Sequence, residues 1–545
     1  MRISPNTLTR AALVIASGLA LALAFPKSDV SLLAWVAFVP LFYAVEGEPL
    51  KNVFWWGWLQ GSACYVGSLY WVVITLHEFA GVHFVLSLIP MLLLAGVLAI
   101  YSAIALWAGA FSARRLRLPI VITMPIAWAA LELVRTYFPI GFPWNLLGET
   151  QYRNLELIQF AEFTGAYGIS ALIIFFNVVI FMVLMRRGSR RLQSLSLSVL
   201  TGVMIAAIVF GNWRMHELKT IKAQGSFRVA MVQGDIPQSV KWEPKFLPIS
   251  FGVYKDQTLA AAREHVDLTL WPEAAATFFF QPDDKYPDGD AEDASYRQQL
   301  LELARTSGSA ILFGAPALGF EDHRAVGFYN RAYLVSAQGE VVAWYDKIQL
   351  VPFGEYVPAR AILGYFVNRI VTGMGDMLPG KRQTLLEVKG AKLGVLICYE
   401  SIFPDLARRS VKEGADVMVN ITNDAWYGAS SAPYQLLAMA AMRAVETKVP
   451  MIRVANTGIS AIILNDGRIA ATTPLFKRGT EIEDVSWCPM RTLYTIVGDL
   501  FAEICLLLTA FALIWGWRWP RKLKPLEAHI EEILSSRNGK RVAIN

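Results

Sequence analysis

Cysteine is nearly absent from this chain: Cys64, Cys398, Cys488 and Cys505 are the four in 545 residues. That leaves no disulfide framework and no Cys or His spacing suited to a metal, so no metal is expected. Charge is also scarce. Only 17% of residues are charged against 55% hydrophobic, which excludes a single soluble domain, and the length exceeds that of a bare helical bundle. Internal repeats, low-complexity tracts and Gly-rich phosphate loops are missing too, so no cofactor is expected. The net charge of +6 does not mark a nucleic-acid partner, because the basic residues sit in short clusters such as ARRLRL, MRRGSRR and WRWPRKLK beside apolar runs. Such clusters flank membrane spans on the cytoplasmic side.

Long apolar runs are what the chain does have. They lie near 8–25, 31–46, 53–76, 84–112, 119–138, 166–185, 193–212 and 493–517, about eight candidate spans for a hydrocarbon core of roughly 30 Å. The first is expected to be a retained helix rather than a cleaved signal peptide. Placing Arg2, Arg10, Lys51, Arg114, Arg115, Arg117, Arg186, Arg187, Arg190, Arg191 and the cluster from Arg518 on the cytoplasmic side satisfies alternate loops. The expected organisation is a membrane domain over 1–212 with seven helices, an extracytoplasmic domain over 213–492, a last helix over 493–517 and a cytoplasmic tail over 518–545. On the fifth run, Glu132 and Arg135 stand three apart, the spacing of an ion pair on one helix face.

Between 213 and 492 the pattern alternates. FRVAMVQGDI, VDLTLWPE, AILFGAPAL, NRAYLVSA, VVAWYDK, LGVLICYE, DVMVNIT, MIRVANT and SAIILND read as strands, with helical patterns in Lys245–Glu264, Ala291–Thr306, Phe403–Glu413 and Ala432–Lys448. Short apolar strands between amphipathic helices predict an α/β sandwich. Three strand ends carry reactive side chains: Glu273 in LTLWPEAA, Lys347 with Glu355 eight residues on in WYDKIQLVPFGEYVP, and Cys398 in GVLICYESIFPD. Singly, each has a plainer role as helix-start acid, solvated turn lysine, surface charge or buried core cysteine. Together they offer a base, a cation and a thiol.

The segments ending in WPE, YDKIQLVPFGE and ICYE resemble the nitrilase, or carbon–nitrogen hydrolase, superfamily over most of 227–470. That resemblance implies a four-layer α-β-β-α sandwich in which Cys398 is the nucleophile, Glu273 the general base, Lys347 the oxyanion stabiliser and Glu355 a second acid that tunes them. Glu400 lies in the same motif, and the Tyr399 N–H could supply a second oxyanion donor. With the spans, GFPWNLLG, VQGDIPQSVKW and NITNDAWYG extend the resemblance over nearly the whole chain to the apolipoprotein N-acyltransferase family. This implies a bacterial inner-membrane enzyme with its catalytic domain on the periplasmic side. It would move an acyl chain from a phospholipid, through a Cys398 thioester, to the α-amino group of a diacylglyceryl-cysteine on an apolipoprotein. Trp242 matches a family tryptophan near the site. Phe278, Phe279 and Phe280, the segment from Ala359 to Leu378, and Trp426 with Tyr427 are candidate lipid contacts, with core or docking surface as the alternative. Two rival classes are a membrane-anchored amidase using water as acceptor and a transporter with an outer domain, which the nearly uncharged central spans disfavour.

Overall fold

The structure, a computed structural model, describes residues 6–281, 291–321, 324–357, 377–488 and 490–518. Among the described residues, six helices are long and apolar enough to cross a bilayer: Thr7–Ala24, Phe84–Leu116, Ile120–Tyr137, Ala166–Leu184, Arg190–Thr220 and Leu500–Arg518. Leu50–Ser68 and Trp71–Phe79, bent by 51°, make a seventh if they form one span. The run expected at 31–46 folds as the shorter apolar segment Ser31–Val45, which at about 1.5 Å per residue falls short of a hydrocarbon core. It is held inside the bundle instead, where the Asn177 side chain accepts from the Phe38 N–H at 3.0 Å.

Ile120–Tyr137 and Ala166–Leu184 form the centre of the bundle, with 72% of each span buried against 22–28% for four of the outer helices. Small residues permit close packing: a Cβ at Gly57 or Gly61 would meet the Cα of Ala103 or Ala99 at 3.0 Å. Glu132 and Arg135 do not pair with each other. Arg135 donates to the carbonyls of Trp144 and Asn145 at 2.8 and 3.1 Å, and Glu132 accepts from the Leu147 N–H at 2.8 Å. Both side chains turn to the GFPWNLLG loop, whose irregular backbone needs partners at this depth.

The rest is a sandwich of two six-stranded sheets. The first contains β1 (Gly225–Gln233), β2 (Leu268–Leu270), β3 (Ala310–Glu321), β4 (Arg324–Val335) and β5 (Val341–Asp346). The second contains β6 (Leu385–Val388), β7 (Ala391–Ile397), β8 (Val417–Thr422), β9 (Met451–Ala455), β10 (Ala461–Ile463) and β11 (Ile469–Thr472). β12 (Gly479–Trp487) returns to the edge of the first, giving the orders β12-β1-β2-β3-β4-β5 and β11-β10-β9-β8-β7-β6. The facing surfaces bury Val229, Leu270 and Leu312 of one sheet with Val395, Val419 and Ile452 of the other. Helices Leu247–Ala262 and Ala291–Ser307 cover the first sheet, and Pro404–Lys412 and Ala432–Thr447 lie with the second, so the expected α-β-β-α sandwich is observed. β6, β11 and β12 carry no clear sequence signal. β12 reads GTEIEDVSW, an acidic edge strand whose charge protects an otherwise open sheet margin.

Every residue of the helix Ala432–Thr447 except the half-buried Tyr434 is buried, because the membrane helices cover the face it would otherwise turn to water. Its Arg443 donates to the Ile402 carbonyl at 3.1 Å and to Glu446 at 3.1 Å, and Glu446 accepts from the Ala166 N–H at 2.9 Å. Arg443 and Glu446 are therefore paired within the helix, as their desolvation demands, and Arg443 also reaches Glu149 of the membrane domain at 3.5 Å.

The phenylalanine expectation is overturned for two of the three residues. Phe278 and Phe280 are buried between the first sheet and its covering helices, with Phe280 ring centroids 4.8 Å from Phe313 and 5.0 Å from Tyr333. Phe279 is half-buried. Tyr427 packs on Trp71 at 5.0 Å and Trp144 at 6.0 Å, and Trp426 on Phe79 at 6.2 Å, so both dock the domain onto the helices. Of the segment from Ala359 to Leu378, residues 359–376 lie outside the described residues. Phe280→Ala should cost about 3–5 kcal/mol of stability, the usual scale for emptying a buried aromatic site. Thermal unfolding in detergent checks this, and an unchanged midpoint would remove Phe280 from the core.

Candidate active site

Four strand ends, two from each sheet, converge at one mouth of the sandwich. Pro272 ends the β2 run and delivers Glu273 into a tight loop. A Cβ at Gly314 of β3 would meet the Ala274 N at 2.4 Å, so only glycine lets that loop lie against the sheet. Lys347 follows directly on β5, Cys398 on β7 and Asn423 on β8.

The Lys347 ammonium lies 2.6 Å from Glu355 and 3.3 Å from Glu273. Glu273 also accepts from the Asn330 side chain at 2.7 Å and from the Asn423 N–H at 2.9 Å. Glu355 closes its own turn by accepting from the Val351 N–H at 2.8 Å. Cys398 is buried and adopts φ +54°, a left-handed conformation that costs a non-glycine residue about 1–3 kcal/mol. Such strain is typical of a side chain aimed out of a strand end into a site.

Burial pushes Glu273 toward neutrality, but the Lys347 charge, the Asn330 hydrogen bond and the Lys241 charge outweigh it and hold the carboxyl below its ordinary range. Burial works against the Lys347 cation, yet Glu355 and Glu273 raise its pKa. Burial and the neighbouring Glu273 push the Cys398 thiol well up, against a smaller opposing pull from Lys347. The resting site therefore holds a carboxylate, an ammonium and a neutral thiol.

Glu400 accepts from the N–H groups of Ile397 (2.7 Å), Ile348 (2.7 Å) and Gln349 (3.0 Å), and from the Tyr345 hydroxyl at 2.9 and 3.0 Å. It thus ties the end of β5, which carries Lys347, to the end of β7, which carries Cys398. Burial raises its pKa to about 7 despite the hydrogen bonds from the Ile397 and Gln349 N–H groups. The Tyr399 side chain turns away from the mouth, its ring 5.1 Å from Phe403 and 6.4 Å from Phe142 of the GFPWNLLG loop. Its N–H lies in the first turn of a short helix, where no intrahelical acceptor exists. Trp242 is 51% exposed.

Sequence reading assigns no role to three residues found here: Asn330, Asn423 and Lys241. NITNDAWYG contains Asn423, but its use of a main-chain N–H carries no side-chain signal. Lys241 looks like a solvated turn residue, yet it is buried and donates to the Glu273 carbonyl at 3.0 Å. Among the described residues, no group of three or more His, Cys, Asp or Glu could hold a metal. Glu400→Gln should cost about 3–5 kcal/mol, because an amide offers two hydrogens where donors already point. Tyr345→Phe, losing one donor, should cost only about 1–2 kcal/mol. Equal thermal midpoints for the two variants would refute the clamp.

Residues 228–489 match the carbon-nitrogen hydrolase family, and residues 17–179 match the apolipoprotein N-acyltransferase N-terminal domain. The apolipoprotein N-acyltransferase of Geobacter metallireducens is 38% identical over 497 residues, which is 90% of this chain and 92% of that protein. That of Azotobacter vinelandii is 31% identical over 88% of this chain and 90% of its own length. A solved amidase from Nesterenkonia sp. is similar at 22% identity and a TM-score of 0.36, over 49% of this chain and 93% of that one. With both family regions matched in order and near-full-length relatives above 30% identity, the chain belongs to the apolipoprotein N-acyltransferase family.

Proposed function

We propose that this chain transfers an acyl group from a phospholipid to the α-amino group of the diacylglyceryl-cysteine at the N-terminus of an apolipoprotein, by way of a thioester on Cys398. The observation that carries the reading is the meeting of Lys347 with Glu273 and Glu355 beside the strained Cys398, in a domain docked on apolar helices. In the first half-reaction Glu273 takes the thiol proton and sulfur attacks the ester carbonyl carbon. The tetrahedral oxyanion is held by the Lys347 ammonium and the Tyr399 N–H. The C–O bond then breaks, and the leaving lysophospholipid oxygen takes the proton from Glu273. In the second, the acceptor amine attacks the thioester, Glu273 takes one amine proton, and the C–S bond breaks with the thiol reprotonated.

Glu355 keeps the Lys347 ammonium in place, and Glu400 keeps the two strand ends together. Trp242 and Phe353, both half-exposed on loops beside Lys241 and Glu355, take the place of the buried Phe278 and Phe280 as apolar contacts for the incoming chain. The domain lies on the periplasmic side of the inner membrane, where basic clusters such as Arg114, Arg115 and Arg186, Arg187 face the cytoplasm.

Incubating the purified chain with a defined phosphatidylethanolamine should add one acyl mass to the peptide carrying Cys398. Cys398→Ala should remain unmodified and lose all transfer, since it removes the proposed nucleophile. An adduct on another residue, or transfer by the alanine variant, would overturn the reading. Lys347→Ala should slow adduct formation by about 10²–10³, the usual worth of one oxyanion donor. A parent-like rate would end its assigned role.

A further inference from the structure

The two site lysines are placed in unlike ways. The Lys347 ammonium already has two carboxylates, Glu355 at 2.6 Å and Glu273 at 3.3 Å. Lys241 is equally buried, yet its one hydrogen bond goes to a neutral acceptor, the Glu273 carbonyl, and among the described residues no carboxylate lies within ion-pair distance of it. A buried ammonium costs several kcal/mol unless something compensates it. Sequence resemblance assigns it no role, and the steps written above do not use it.

Its position is built rather than incidental. Asn456 donates to the Ile236 carbonyl at 2.8 Å and accepts from the Ile236 N–H at 3.0 Å, fixing the loop that leads to Lys241. The same Asn456 donates to Asn423 at 3.1 Å, and the Asn423 side chain donates to Gln238 at 2.8 Å. The Asn423 N–H in turn holds Glu273. One amide chain thus sets the lysine loop and the carboxylate together.

We propose that Lys241 is a positioning residue of the acyl-transfer site, which holds the main chain of Glu273 and supplies the uncommitted positive charge against which negative charge develops on Cys398 and the oxyanion. The inference rests on Cys398 as nucleophile. As the thiol proton moves to Glu273, that carboxyl becomes neutral and the negative charge passes to sulfur. Lys347 remains engaged by Glu355, whereas Lys241 has no acid to hold it back. Lys241 lies 3.0 Å from the Glu273 carbonyl, at the same mouth of the sandwich where Cys398 ends its strand. Beyond them lie Lys347 and Glu355, and Asp424 is committed to Arg453 at 2.8 Å.

Burial lowers the Lys241 pKa to about 8, with Glu273 and Cys398 opposing the shift. The lysine is charged below that pH and neutral above it. Support from its charge is therefore present near pH 7 and fades as pH rises through about 8. Lys347, raised rather than lowered, does not titrate there, and a change near pH 7 belongs to Glu400.

The test is formation of the Cys398 acyl adduct from a short-chain activated ester in detergent, followed by mass spectrometry from pH 6 to 9.5 in the parent, Lys241→Met and Lys241→Arg. The parent rate should fall above about pH 8. Lys241→Met, close in length but uncharged, should be about 10–100-fold slower at pH 7, one or two pKa units of thiolate support, and should lack the alkaline fall. Lys241→Arg should return to within a few-fold of the parent and keep its rate to higher pH. An alkaline fall that persists in Lys241→Met overturns the proposal at any rate, as does a parent-like rate in that variant. So does a slow Lys241→Arg whose thermal midpoint is lowered like that of Lys241→Met, because a purely structural role is then sufficient. Absence of an adduct in the parent would refute the nucleophile assignment instead.

Discussion

The Glu400 carboxylate is the constraint on which the geometry of this site depends. Lys347 and Cys398 belong to different sheets, and the apolar packing between those sheets is non-directional and sets no fine register at their ends. Directional hydrogen bonds must do that. Glu400 receives the Ile397 N–H immediately before the cysteine and the Ile348 and Gln349 N–H groups immediately after the lysine. A strained φ at Cys398 persists only where surrounding bonds over-determine it. On the Cys398 backbone itself the carbonyl accepts from the Ser401 hydroxyl at 3.1 Å and the Asn420 side chain at 3.3 Å, and the Glu400 bonds fix the preceding residue and extend the restraint across the sandwich.

The same restraint continues into the bilayer. Tyr399 stacks toward Phe142, and the stacked Phe142–Trp144 pair lies 5.8 Å apart in the loop that Arg135 and Glu132 hold. Trp144 donates to Gln435 at 2.8 Å, and Gln435 donates to the Ser68 carbonyl at the end of a membrane helix. The residue after Cys398 is therefore packed on the membrane domain. The height of the thiol relative to the membrane helices thus follows from packing rather than from a flexible tether.

Much of the fold was legible because its signals are local: long apolar runs, short apolar strands and three strand ends with an acid, a lysine and a cysteine. What was not legible depends on partners remote in sequence. TFFFQP has the composition of a lipid-facing rim, and only the positions of Phe313 and Tyr333 show that Phe278 and Phe280 point inward. Glu132 and Arg135 have ion-pair spacing, but the loop carbonyls and N–H groups at 144–147 compete more strongly for them. Trp426 and Tyr427 resemble interfacial aromatics until Phe79, Trp71 and Trp144 are seen to cover them. Lys241 and Trp242 are adjacent, yet one is buried and the other half-exposed, a division that depends on loop geometry alone.

The electrostatic state of the site explains how a cysteine can remain stable beside a membrane and still react. With Glu273 held ionised by its donors and the thiol pushed up by burial, the thiolate is not the resting form. Reactivity then requires an event that weakens the hold on the carboxylate or adds a demand for negative charge at sulfur. In the reaction proposed above, an ester carbonyl between Cys398 and Lys347 would do both, since its oxygen would compete with Glu273 for the ammonium and a freed carboxylate is a better base. On that proposal the two carboxylates around one lysine have different tasks rather than duplicating each other. Glu355, at the shorter distance, would keep the cation in place while Glu273 took the proton.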